Sequence, residues 1–196
     1  MKIVTVGADP ELFLRETITN ELVASIGKIG GTKEDPVPFS SQQGFYAQED
    51  NVAVEFNIPP AITREQFVAS IHFGLEELQK IVIPFGLSLV ISASEYFPKK
   101  ELSKPGAELF GCTPDFDAWR FGAFNPPPFR GNVPTLRSCG GHVHIGFESD
   151  KFDRDRWALV KACDITLGVP SLFLDNDERR RNLYGNAGCF RPTPYG

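Results

Sequence analysis

The stretch Ser138-Cys-Gly-Gly-His-Val-His-Ile-Gly-Phe147 constrains this chain more than any other. Alternate residues of a β-strand point to opposite faces. His142 and His144 then share one face, and Val143, Ile145 and Phe147 turn the other way, toward a core. Gly140, Gly141 and Gly146 leave room for something to come close to the backbone. Two imidazoles side by side on a strand make a floor for a metal or a polar ligand, or a plain pair of solvated histidines. The spacing alone does not separate the two.

The rest of the chain supplies acids. Asp9 and Glu11 have the same parity in a strand-like stretch, Ile3 to Leu14, that is interrupted at Gly7-Ala-Asp-Pro10. A carboxylate pair there suits a metal. Phe45 to Ile58 reads as a second strand ended by Pro59-Pro60. Counted as one strand, it puts Glu49, Asn51, Ala53, Glu55 and Asn57 on one face and Asp50, Val52, Val54 and Phe56 on the other. A face of acids and amides without Lys, Arg or Thr suits a hard cation held by oxygen. Gly27-Lys28 and Gly30-Gly31-Thr32-Lys33 offer bare amides and lysines, the ingredients of a phosphate-holding loop, although the GxxxxGK[ST] spacing is absent.

Thr63-Arg-Glu-Gln66 has the form of a capping box. Phe67, Ile71, Leu75, Leu78 and Val82 then recur at helical steps, and Pro84 and Gly86 stop the helix. Leu87 to Tyr96 reads as a strand, with Leu87, Leu89 and Ile91 alternating against serines. Residues 98 to 137 read as a long, proline-rich, aromatic loop of the kind that carries function. Asp153 to Gly168 reads as a helix with Trp157, Val160, Cys163 and Leu167 on one side. Beyond it, Arg179, Arg180, Arg181 and Arg191 flank a Tyr-Gly-Asn-Ala-Gly loop, and arginine forks grip phosphate and carboxylate.

Composition narrows the classes. The 196 residues suit one large domain or two small ones. A net charge of -5 gives no basic footprint for nucleic acid. Seventeen Phe against one Met predict an aromatic-rich core. No apolar run reaches spanning length, and Met1-Lys-Ile-Val-Thr-Val-Gly7 lacks a signal-peptide shape, so the expectation is a cytoplasmic chain without a membrane. Four cysteines without a CxxC pair fit reduced thiols. Cys139, beside the histidines, reads as a buried thiol.

Four phrases, in order, carry a resemblance: Gly7-Ala-Asp-Pro-Glu-Leu-Phe13, Glu49-Asp-Asn-Val-Ala-Val-Glu-Phe-Asn57, Gly140-Gly-His-Val-His-Ile-Gly146 and Arg181-Asn-Leu-Tyr-Gly-Asn-Ala-Gly188. With the loops Gly27 to Lys33 and Gly111 to Asp115, the chain resembles the phage-type carboxylate–amine ligases of the glutamine synthetase and glutamate–cysteine ligase superfamily. The resemblance implies an α+β fold, with a curved, largely antiparallel sheet backed by helices on one face, forming a single domain over residues 1–196. It implies Mg²⁺ or Mn²⁺ and ATP on the concave face. The chemistry is phosphoryl transfer to a carboxylate, then attack by an amine to give an amide. Glu11, Glu55 and one of His142 or His144 would be metal ligands, with Asp9, Glu49 or Asp50 completing the shell. Arg181 and Arg191 would meet phosphate or acyl phosphate, and Lys28, Lys33, Arg179 and Tyr184 the nucleotide. Substrates would be small-molecule or peptide carboxylates and amines, and a homo-oligomer fits. Members of that family continue past the Tyr-Gly dipeptide into a strand with a further Glu and Arg, so the resemblance also implies a C-terminally truncated chain. Two other expectations stand beside it: the residues themselves leave a zinc hydrolase using the His-Val-His strand, and the truncation that the resemblance implies leaves a nucleotide-binding fragment of the ligase fold without turnover.

Overall fold

The computed structural model describes residues 2–107, 115–125, 134–183 and 186–193. Its elements, in chain order, begin with β1 (Lys2–Ala8), β2 (Glu11–Glu16), β3 (Leu22–Val23), β4 (Val37–Pro38), β5 (Tyr46–Asp50) and β6 (Ala53–Asn57). Then come α1 (Arg64–Val82), β7 (Leu87–Val90), β8 (Ser94–Tyr96) and α2 (Lys99–Leu102). The last are β9 (Phe116–Asp117), β10 (Ala123–Phe124), β11 (Leu136–Ser138), β12 (Val143–Glu148), α3 (Phe152–Cys163), α4 (Val169–Leu174), α5 (Glu178–Leu183) and β13 (Cys189–Phe190). Two compact units emerge. The sheet unit takes the described residues of 5–109 and 133–144, and the helical unit those of 1–4, 110–132 and 145–196.

The sheet unit is α+β, with a curled antiparallel half-barrel sheet. The strand order is β3-β2-β6-β5-β4, and β7 also pairs with β2, setting Leu14 opposite Leu89. One sheet face is apolar: Leu12, Leu14, Ala47, Val54 and Phe56 pack with Leu78 and Val82 of α1. Each large side chain so buried contributes about 1.5–3 kcal/mol. Gly74 lets α1 come close, because a Cβ there would lie 2.5 Å from the Phe56 ring. The helix starts as its sequence predicts, with Gln66 N–H donating to the Thr63 hydroxyl. Gln66 Oε1 in turn accepts from Ile62 N–H, and left-handed Gly86 closes the turn that follows the helix.

The expected single strand over 45–58 is a hairpin. β5 and β6 pair with Asp50 opposite Ala53, Glu49 opposite Val54 and Gln48 opposite Glu55. Asn51 takes a left-handed φ of 57° at the turn. A two-residue turn exchanges the parity of everything on one side of it. Gln48 and Asp50 therefore share a face with Glu55, and Glu49 belongs to the opposite face.

Other expectations also change. Leu87 to Tyr96 is two strands, and Ile91, between them, is 80% exposed. Phe147 is buried, as alternation requires, but Val143 is exposed. In the region read as one long loop, α2, β9, β10 and β11 are formed. Phe110, Phe129 and Arg130, along with Gly111 to Pro114 of the Gly111–Asp115 loop, lie outside the described residues.

In the helical unit, the helix expected to end at Gly168 continues. α3 passes through a π-turn at Asp164–Gly168 into α4, the wider turn falling just before Pro170, whose missing N–H interrupts the ordinary helical bonds. Leu159 of α3 is buried, and Leu167 is exposed. The continuous helix Asp153–Leu174 is long and apolar enough, by length and composition alone, to cross a membrane. No linear apolar run of that length is visible, since Lys161 and Asp164 interrupt it. β9, β10 and β13 form a small sheet on which the Phe116 ring lies 4.6 Å from Phe124 and 5.8 Å from Phe190.

Candidate metal centre

The candidate centre lies within the sheet unit, where chain segments adjoin in a fixed order. Residues 8–11 run between the β6 side and the histidine segment. Phe56 N–H donates to Pro10 O and Ile58 N–H to Ala8 O on one flank. Glu11 N–H donates to Gly140 O and Asp9 N–H to His142 O on the other. What comes close to the glycines is thus the chain's own backbone. A Cβ at Gly141, whose φ is 148°, would lie 3.0 Å from both Asp9 O and Pro10 Cα. Buried Arg137 fixes the approach to this segment, donating to the carbonyls of Ala107, Pro134 and Leu136.

Asp9 sits under the two imidazoles. His142 Nδ1 is 3.1 Å from Asp9 Oδ1, and His144 Nε2 is 3.0 Å from Asp9 Oδ2. His142 N–H also donates to Oδ1 at 2.5 Å. The Asp9 side chain is 11% exposed and the rings 41% and 47%, so the acid is covered and the imidazoles face solvent. Burial opposes its charge, but the bonds from His142 and His144 outweigh burial and hold the Asp9 carboxyl well below the usual range.

Beside this trio stands a second set. Glu11 lies directly opposite Glu55 across β2 and β6, and Asp50 joins them from β5. In each set, Asp9–His142–His144 and Glu11–Asp50–Glu55, one ligand atom per residue lies within 4.8 Å of the others. Donors about 2.0–2.1 Å from an octahedral cation stand roughly 3–4 Å apart, so both sets fit one cation each after small side-chain adjustments. The sets feel each other. Burial first, and then the charges of Asp9, Glu11 and Asp50, push the Glu55 carboxyl up to about 8, with His142 partly offsetting them. A buried carboxyl surrounded by carboxylates holds a proton until a cation replaces it. The donor chemistry fits Mg²⁺ or Mn²⁺ at the all-oxygen set and Mn²⁺ or Zn²⁺ at the imidazole set.

Of the expected ligands, the structure gathers Asp9, Glu11, Glu55, His142 and His144, and places Glu49 elsewhere. Glu49 Oε1 accepts from the N–H groups of Lys28, Ile29 and Gly30 at 2.9, 2.9 and 2.8 Å, and Oε2 accepts from Gly27 N–H at 2.9 Å. Those four bonds overcome burial and lower its carboxyl below the ordinary value. The glycine loop does hold an anion, and that anion is the chain's own. Lys28 is half-buried and Lys33 exposed on this loop.

The arginines belong to the helical unit. Arg179 closes its fork on Asp177, with Nε and Nη2 each 3.2 Å from a carboxylate oxygen. Arg181 donates to the carbonyls of Leu172 and Asp175. Arg191 is half-buried, and Tyr184 lies outside the described residues. Cys139 packs in the apolar cluster of Phe13, Leu22 and Phe97.

One residue escaped the sequence reading. Gln48 is 4% exposed and stands opposite Glu55. Recognising the Asn51-Val52 turn would have moved Gln48 and Asp50 onto the acid face.

Compared with protein-family models and with curated proteins, the chain matches none.

Proposed function

We propose that this chain is a divalent-cation-dependent carboxylate–amine ligase of the glutamine synthetase type, using ATP to form an amide through an acyl phosphate. One observation carries the proposal: four carboxylates and two imidazoles from separated segments meet on adjoining strands. An acid floor of this kind has little use in an apolar-ligand site, and its mutual repulsion asks for cations. Glu11, Asp50 and Glu55 would hold one ion, and Asp9, His142 and His144 a second. Bound there, the ions would offset polyphosphate charge. The curled antiparallel sheet suits such a floor. Arg179, Arg181, Arg191, Lys28, Lys33 and Tyr184 are the proposed contacts for phosphate and nucleotide, and Arg179 would exchange Asp177 for its ligand. The test is ADP release from ATP with Mg²⁺ or Mn²⁺ and mixed carboxylates and amines. The expected result is release that needs all three components and is lost in Glu55→Ala. Release indifferent to Glu55→Ala overturns the assignment.

The bonding of Asp9 to both imidazoles favours a second reading, a zinc hydrolase. A one-carboxylate, two-histidine set leaves a coordination position for water. Stoichiometric zinc that survives dialysis, with ester or amide hydrolysis lost in His144→Ala, would replace the ligase reading.

A further inference from the structure

The loop from Ser25 to Gly31 is built around one carboxylate. Gly27, Gly30 and Gly31 all take left-handed φ values, 74°, 78° and 78°, which side chains disfavour. This path directs four consecutive N–H groups, from Gly27 to Gly30, onto Glu49. Gly31 has no room for a side chain, since a Cβ would lie 2.7 Å from Ala47 O.

The same loop also holds the turn that follows Glu49. Ser25 N–H donates to Val52 O, and the Ser25 hydroxyl donates to Ala53 O at 2.6 Å and Asn51 O at 3.4 Å. Glu49 N–H donates to Gly31 O. The segment is therefore clamped at one end to the β5–β6 turn and at the other to the side chain just before it. Asp50 lies between the two clamps, and Glu55 is two residues past Ala53.

We propose that Glu49 is a positioning residue for the cation floor: it fills an anion nest in the 25–31 loop, and the loop then splints the hairpin that presents Asp50 and Glu55. The inference rests on the metal reading of that floor. It assigns the glycine loop a supporting role, with its backbone amides turned inward on the chain itself. A single hydrogen bond between ordinary groups is a small contribution, but one carboxylate accepting four amides is a charge-assisted network that no neutral side chain replaces.

The test measures Mn²⁺ affinity of the full 196-residue chain at pH 8, by the loss of the free-ion electron paramagnetic resonance signal. Glu49→Ala is expected to weaken Mn²⁺ binding at least tenfold at unchanged far-ultraviolet circular dichroism. Acetate at about 100 mM is expected to restore the variant by refilling the nest, while leaving wild type unchanged. Glu49→Gln keeps the shape and loses the charge, and is expected to stay weak in acetate. Wild-type affinity in Glu49→Ala, or a loss that acetate does not reverse, overturns the positioning role and leaves the metal reading standing. A wild-type chain that binds no Mn²⁺ overturns both. An unfolded Glu49→Ala chain that acetate fails to refold likewise counts against a refillable nest.

Discussion

Glu11 and Glu55 stand directly opposite each other on neighbouring antiparallel strands, on the sheet face away from α1. Like charges in that relation repel, and Asp50 and Asp9 add to the repulsion. In the metal-free chain a proton on Glu55 relieves it, and a cation would relieve it better. Cation affinity should therefore climb with pH about tenfold per unit until Glu55 titrates near 8. Mn²⁺ titrations at pH 6, 7 and 8 check this, and a flat profile contradicts it. Glu55→Gln should flatten it.

The same proton sets a stability profile. Glu55 titrates higher in the fold than its ordinary 4.5, so its contribution is full below about 4.5 and is lost as pH rises toward about 8. Asp9 goes the other way: its carboxyl is held low, so its contribution is present above 3.8 and is lost as pH falls below that value. Without metal, wild type should resist urea better at pH 5 than at pH 8, and Glu55→Gln should narrow the difference. Equal alkaline losses in both proteins would contradict the assignment.

Gln48 tests the edge of the floor, since it stands opposite Glu55. Gln48→Met removes its amide at similar volume, so Mn²⁺ affinity should fall while urea stability changes by less than about 1.5 kcal/mol. A variant that loses stability and keeps its affinity would show the amide to be structural.

Gly74 tests the packing beneath the site. Alanine is the better helix former by about 1 kcal/mol, yet its Cβ would meet the Phe56 ring at 2.5 Å. Overpacking of this kind costs about 1–3 kcal/mol. Gly74→Ala should therefore be destabilising overall, as read by urea melts, and a stabilised variant would mean that α1 can move.

The elements legible in the sequence were those with local punctuation. Thr63, Gln66 and the apolar steps from Phe67 to Val82 mark α1 because caps and helical period act within a few residues. Asp9, Glu11 and the histidines were legible as a gathering of donor side chains, although Asp9 and His142 fall just outside their strands. The hairpin was not legible, because Asn51-Val52 carries no glycine and sits inside an apolar alternation that continues across it. That missed turn put Glu49 on the floor and left Gln48 off it. The role of Glu49 depends on a loop some twenty residues upstream, which no local pattern encodes. The extension of α3 into α4 was hidden by Gly168 and Pro170, which read as a stop; the π-turn at Asp164–Gly168 carries the helix past them.

Cations that seat between these strands must be retained by the chain, and equilibrium dialysis against Mn²⁺ at pH 8 measures that directly. The expected result is two ions per chain, one lost in Glu11→Ala/Glu55→Ala and the other in His142→Ala/His144→Ala. A chain that retains no Mn²⁺, or variants that keep both ions, would contradict it.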